Sequence, residues 1–188
     1  MRKRYRNGSS DQRMKRVSQA IIFAAQAHSG QHRKDGKTPY INHPLEVMNL
    51  VVQHVENPDE DVLIAAALHD VVEDTLVTEA EIADLFGVRV SQLVAELTDD
   101  KMLTKEERKR MQLEEVHLLS NEGKLLRLCD KICNVCDILY APPGEWTLKR
   151  RMDYLIWANA VVDKIRGVHP ALEARFDELY REGVKLLS

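Results

Sequence analysis

The chain has 188 residues, 44% of them apolar and 30% charged, and a net charge of −3. That length suits one domain with a sizeable core, and the mild acidity argues against a general nucleic-acid binder, which needs a basic surface to neutralise phosphates. No apolar run approaches the roughly eighteen residues of a membrane span, the longest being Val62 to Leu68.

The first ten residues, MRKRYRNGSS, are basic and lack the apolar segment of a secretory signal, so they read as a flexible tail ahead of a domain over 11–188. Val17, Ile21, Ala24, Ala25 and His28 line one face of a first helix. A Gly- and Lys-rich loop from Ser29 to Asn42 follows, and Pro44 opens a second helix that ends before Asn57-Pro58. From about Asp59 a helix apolar nearly all round predicts a buried, central element. Thr78 with Glu81, and Thr104 with Glu107, read as capping boxes of two further helices, with another helix from Gly87 to Leu97 between them. Lys124 to Leu139 is amphipathic, Pro142-Pro143-Gly144 is a loop, and two helices fill Trp146 to Val168 and Pro170 to Leu187. No alternating strand is legible. The class is all-α, a single bundle of roughly eight to ten helices.

The chemistry concentrates in ALHDVVEDT, Ala67 to Thr75. If the buried helix continues, His69, Asp70, Glu73 and Asp74 form i,i+4 pairs and one polar patch. Three carboxylates this close on a core-bound helix repel each other and are costly to desolvate. A divalent cation resolves that conflict; the plain alternative is a helix end that surfaces into solvent. His43, at a helix start, and Asp130, an acid in an apolar helical stretch, complete a set of two His and two carboxylates suited to manganese, iron or zinc. Mixed nitrogen and oxygen ligands with positions left for water fit a catalytic centre better than a closed structural one.

Four segments, PYINHP, ALHDVVEDT, ELTDDK with ERKR after it, and LCDKICN, resemble the hydrolase domain of the RelA/SpoT family in order and spacing. The resemblance is strongest to its stand-alone form, the small alarmone hydrolases of the metazoan SpoT-homologue kind, and covers Val17 to Val162. It implies a helical HD fold holding one manganese ion through His43, His69, Asp70 and Asp130. It also implies release of the 3′-pyrophosphate of guanosine tetra- or pentaphosphate, giving GDP or GTP, with no synthetase activity. Glu73 and Asp74 match the acidic pair that prepares the attacking water; Arg33 and Lys34 match nucleotide contacts, and Asn134 matches a contact at the ribose. Lys101, Arg108, Arg150 and Tyr154 match positions that can face the substrate. One departure stands out: where the family has a basic residue two after the Asn, this chain has Cys136.

Several residues take plainer readings. Cys129, Cys133 and Cys136 share one helical face and read as packing residues; they form no disulfide framework, which together with the missing export signal predicts a reducing cytoplasm. His28, His32, His54, His117 and His169 read as surface or helix-end residues, and Trp146 and Trp157 as core aromatics. The predicted partner is a small nucleotide, with neither nucleic acid nor membrane, and no sequence feature sets an oligomeric state. Competing functions are an HD hydrolase acting on another nucleotide, through the 2′-phosphate of NADPH or an adenosine analogue, and a non-catalytic nucleotide sensor.

Overall fold

The computed structural model describes residues 10–188. Among the described residues ten α-helices run in chain order: α1 (Ser10–Ala27), α2 (Asn42–His54), α3 (Glu60–Leu68), α4 (Val71–Asp74), α5 (Glu79–Phe86), α6 (Val88–Leu97), α7 (Lys105–Glu115), α8 (Asn121–Tyr140), α9 (Leu148–Asp163) and α10 (Pro170–Leu187). A single 3₁₀ turn, Val116–Leu118, joins α7 to α8. Among the described residues there is no strand, only one isolated antiparallel bridge between His32 and Pro39. The basic tail read over the first ten residues lies outside the described region except for Ser10, which opens α1.

The caps explain where the helices start. Thr78 and Thr104 each make a complete capping box, the hydroxyl accepting from the third helical N–H and the Glu81 or Glu107 carboxylate accepting from the cap's own N–H. Ser120 accepts from the Gly123 N–H and starts α8 three residues earlier than the amphipathic pattern alone indicates. His169 caps α10 ahead of Pro170, where a missing N–H costs nothing. Gly87, at φ 99°, makes the turn that sets α6 against α5.

Helix α3 lies at the centre. Every residue from Val62 to Leu68 is buried, and three consecutive alanines let α1, α2 and α6 approach closely. Ile64 and Leu68 are fully enclosed, and burial of each such side chain is worth about 1.5–3 kcal/mol. The second core helix, α8, contacts α2, α6, α9 and α10, and carries Arg127, Asp130 and Lys131 into the interior along with its apolar residues. Helix α7 buries only Gln112, so it serves as a charged wall rather than a core element.

One expectation fails. The apolar helix does not continue through Asp74: α3 stops at Leu68, His69 and Asp70 form a turn, and α4 is a separate short helix. The His69 ring is the physical cause. Its Nδ1 lies 2.9 Å from the Ala66 carbonyl, the acceptor that a continuing helix would give to the Asp70 N–H. Asp70 instead sits at φ −98°, ψ −6°, and the backbone resumes with Asp74 N–H donating to Asp70 O at 2.8 Å.

No described helix is long and apolar enough to cross a membrane.

Candidate active site

Three elements and one loop converge on a cleft of 580 Å³, within the usual size range for small-ligand sites. The start of α2 brings His43, the α3–α4 turn brings His69 and Asp70, and the middle of α8 brings Asp130. His43 Nε2 lies 3.2 Å from Asp130 Oδ1 and 3.6 Å from Asp70 Oδ2. His69 Nε2 lies 3.2 Å from Asp70 Oδ2 and 4.0 Å from Asp130 Oδ1. Ligand atoms of His43, His69 and Asp130 all fall within 4.8 Å of one another. All four side chains predicted from the sequence therefore meet in one pit, although by a helix break and not by a helix face.

The donor set fits a divalent cation on one further observation. His69 Nε2 is buried and faces two carboxylates, yet makes no properly directed hydrogen bond. Its other nitrogen is committed to the Ala66 carbonyl, so Nε2 is the free lone pair when the ring is neutral. Without a cation the ring holds a proton instead: burial opposes its charge, but Asp70 and then Asp130 draw its pKa up to about 9. The same pairing holds the Asp70 and Asp130 carboxyls well below the usual range against the cost of burial.

Around the pit each acid is braced. Asp70 Oδ2 accepts from the Tyr40 hydroxyl at 2.9 Å. Asp130 takes Lys131 Nζ at 3.1 Å on Oδ2, and the Asn134 amide on Oδ1. Glu73 Oε1 receives Arg108 at 3.2 Å and Oε2 receives the Asp99 N–H at 3.1 Å. Burial pushes the Glu73 pKa up to about 7, with the Asp99 hydrogen bond opposing. Asp74 is paired with Lys101.

The loop between α1 and α2 presents Arg33 and Lys34. It is built like a tight hairpin: Arg33 N–H donates to Thr38 O at 2.8 Å, Gly36 turns at φ 73°, and Asp35 accepts from the Lys37 and Thr38 N–H groups at 2.9 Å. Arg33 donates to Asp137 at 2.9 Å through Nε and to Asn134 at 3.0 Å through Nη2. A continuous chain of hydrogen bonds thus runs from Arg33 through Asn134 to Asp130.

Of the peripheral residues read from the sequence, Lys101, Arg108 and Tyr154 line the cleft with Arg33, Lys34 and Asn134. Arg150 does not; it stands at the rim over the Trp146 ring. One plain reading needs correcting: Trp146 is not a core aromatic but a half-buried ring faced by cations. Trp157, also half-buried, packs against the core as expected and has Lys131 4.6 Å from its centroid. His28 stands at the end of α1 as read, but is only 2% exposed; it lies 2.8 Å from Gln31 Oε1 and packs on Tyr40, thereby anchoring the loop. The cysteines behave as packing residues, with Cys129 and Cys133 buried, and burial first of all raises the Cys129 thiol pKa to about 12.

Sequence reasoning missed Lys131, Asp137 and the group formed by buried Arg127 and Gln112 with half-buried Asp99. Gln112 lies 3.2 Å from Asp99, and Arg127 donates to Leu97 O at 3.1 Å. The available signal was charge inside an apolar helix: Arg127 and Lys131 flank Asp130 in a stretch otherwise made of Leu, Ile and Cys.

A helical cleft with paired His and Asp at a helix break matches a known architecture, and the HD domain family's sequence pattern fits residues 20–159. The chain belongs to the HD domain family. It is 44% identical over 165 residues to the guanosine-3′,5′-bis(diphosphate) 3′-pyrophosphohydrolase MESH1 of Drosophila melanogaster, covering 87% of this chain and 92% of that protein. The human protein of the same name is 42% identical over the same share of each chain. Among solved structures, a metazoan ortholog of SpoT, described as hydrolysing ppGpp and acting in starvation responses, superposes with a TM-score of 0.86 at 41% identity. That match covers 95% of this chain and 98% of the other. A protein of Listeria monocytogenes EGD-e aligns more loosely, with a TM-score of 0.64 at 31% identity over 80% of this chain and 98% of its own.

Proposed function

We propose that this protein is a manganese-dependent guanosine 3′,5′-bis(diphosphate) 3′-pyrophosphohydrolase, acting on a small nucleotide in the cytoplasm. The observation that carries the reading is the pit itself: two buried imidazoles and two carboxylates converge beside a half-buried Glu73 and two loop cations, in a chain 44% identical to a hydrolase of that name. His43, His69, Asp70 and Asp130 would hold one divalent ion, which when bound polarises a water and offsets phosphoryl charge.

The remaining steps belong to side chains. Lys131 and Asn134 hold Asp130, and Tyr40 holds Asp70, so the carboxylates keep their directions when the charge in the pit changes. Glu73 accepts the proton of the attacking water, with Arg108 and the Asp99 N–H fixing its orientation. Asp74, paired with Lys101, steers the same water from the neighbouring position. Arg33 and Lys34 bind the 3′-diphosphate, Arg33 by its planar fork and Lys34 as a point charge. Water forms a bond to the phosphorus nearest the ribose, the bond from that phosphorus to O3′ breaks, and O3′ takes a proton. The two phosphates leave together as pyrophosphate.

Product identity tests this reading. With manganese and guanosine tetraphosphate, anion-exchange chromatography should show GDP and pyrophosphate in equal amounts, and neither after chelation. Orthophosphate as the first product, or dephosphorylation of NADPH without turnover of guanosine substrates, would overturn it.

The loop cations give a separate expected result. Arg33→Ala should raise KM on the order of tenfold or more, the loss of a hydrogen bond to a charged group. Metal content measured by elemental analysis should stay unchanged. Wild-type KM should also climb with ionic strength as the attraction is screened. An unchanged KM in the Arg33→Ala/Lys34→Ala protein would leave both side chains as solvated surface charge.

A further inference from the structure

Helices α2 and α8 pack together, and each carries two metal-ligating side chains three residues apart: His43 and Glu46 on α2, Asp130 and Cys133 on α8. That spacing puts both members of a pair on one helix face, so the contact that helps build the pit is repeated one turn along. His43 and Asp130 meet in the pit. Glu46 and Cys133 lie beside His43 but line no part of the cleft. A nitrogen of His43, a carboxylate oxygen of Glu46 and the Cys133 sulfur all fall within 4.8 Å of one another. His43 and Cys133 are 2% and 5% exposed. Glu46 is open to solvent, which gives an ion a way in that does not pass through the nucleotide cleft.

The two nitrogens of the His43 ring are used unequally. Nε2 is turned to Asp130 and Asp70, at 3.2 and 3.6 Å. Nδ1 is buried and has no hydrogen-bond partner among the described residues, a costly state for a polar atom. Nδ1 is therefore the nitrogen left to Glu46 and Cys133. Imidazole, carboxylate and thiolate make a mixed nitrogen, oxygen and sulfur set, and the sulfur favours an ion of the zinc class over the harder manganese. Ligand atoms around a tetrahedral zinc stand about 3.3–3.8 Å apart at ordinary bond lengths. The exposed Glu46 side chain is free to close the difference.

We propose that His43 Nδ1, Glu46 and Cys133 form a second cation site, for a thiophilic divalent ion such as zinc, whose occupation opposes the ion in the pit. The opposition follows from the shared ring. A neutral imidazole carries one proton. An ion on Nδ1 confines that proton to Nε2, which donates it to Asp130 and offers the pit no lone pair. An ion in the pit confines the proton to Nδ1 and closes the second site. Such coupling is reciprocal. Zinc would thus inhibit from outside the nucleotide cleft, and its binding would release the Cys133 thiol proton to solvent. The coupling rests on the pit holding its ion; the site itself does not.

Cadmium is the probe, because a cadmium–thiolate bond gives an ultraviolet charge-transfer band that the nitrogen and oxygen ligands of the pit cannot produce. Titrated into reduced, metal-free protein, it should raise a saturable band. Cys133→Ala should abolish the band, and Glu46→Gln should weaken the apparent affinity about tenfold or more. Cys136→Ala should leave both unchanged. Circular dichroism checks folding, and the exposed Glu46 tests the site even where loss of the Cys133 sulfur disturbs the packing of α8. The coupling has its own readout: manganese should weaken apparent cadmium affinity about tenfold in the wild type and not at all in Asp70→Ala, whose pit lacks a ligand. A band that survives Cys133→Ala, or an affinity indifferent to Glu46→Gln, would overturn the site. A cadmium titration that manganese does not shift, or shifts equally in Asp70→Ala, would overturn the coupling. Neither readout uses turnover, so the site and the activity reading stand or fall separately.

Discussion

Asp70→Ala is expected to abolish both metal binding and turnover in a protein that still folds. Among the described residues, Asp70 Oδ2 is the one carboxylate oxygen within 3.6 Å of both imidazole Nε2 atoms. The expected fall in metal affinity exceeds the 10–100-fold typical of residues that only brace a ligand. Folding should survive because Asp70 forms no side-chain cap on α4 and lies at a turn outside the α3 core. Elemental analysis after gel filtration, with circular dichroism alongside, checks both halves; stoichiometric metal in the variant would remove Asp70 from the ligand set. A pH dependence accompanies this result. In metal-free protein His69 carries a proton up to about pH 9, so metal uptake at neutral pH must displace it. Affinity should therefore rise with pH up to about 9, and calorimetry in buffers of different ionisation enthalpy should register the released proton. The sign for stability is opposite: the protonated His69–Asp70 pair supports the metal-free fold fully below about 6.5, and that support is lost as pH rises through about 9.

Glu73→Gln separates binding from chemistry. The variant should keep its metal while turnover falls by a factor of about a hundred or more, the usual worth of a positioned general base. Burial, opposed by the Asp99 hydrogen bond, sets the Glu73 pKa at about 7 in the metal-free protein. A cation in the pit would lower that value, and a protonated carboxyl cannot accept from water, so wild-type kcat should fall as pH drops below it. That acid limb should vanish in the Gln variant. Near-normal turnover in Glu73→Gln would reduce the residue to a brace for Arg108.

Most of the fold was legible because helix ends are written locally. The Thr78–Glu81 and Thr104–Glu107 pairs, Pro44 and Pro170 mark starts without reference to the rest of the chain. The α3–α4 break was not, because it depends on a ring nitrogen reaching back to a carbonyl, and apolar periodicity carries no trace of that bond. The four pit residues stand out in the sequence because buried acids need partners wherever the backbone puts them, and the fold brings their side chains together. Trp146 was misjudged for the opposite reason: aromatics suit a core and a cation-lined wall equally, and only the packing of α7 and the α1–α2 loop decides. Asp137 was invisible because its partner, Arg33, lies 104 positions away in the chain.

The hydrogen bonds from Arg33 to Asp137 and Asn134 bear on the thermodynamics of capture. A surface arginine ordinarily samples many rotamers, and freezing one costs on the order of 1.5–2 kcal/mol. Here the side chain is ordered before any ligand arrives, its guanidinium fixed by two acceptors on α8 and lying 5.5 Å from the Tyr40 ring. That entropy is lost during folding and is not charged again to each encounter. Loosening this anchor with Asp137→Ala would leave the loop's own hydrogen bonds intact, and its cost would fall on the entropy of binding rather than its enthalpy.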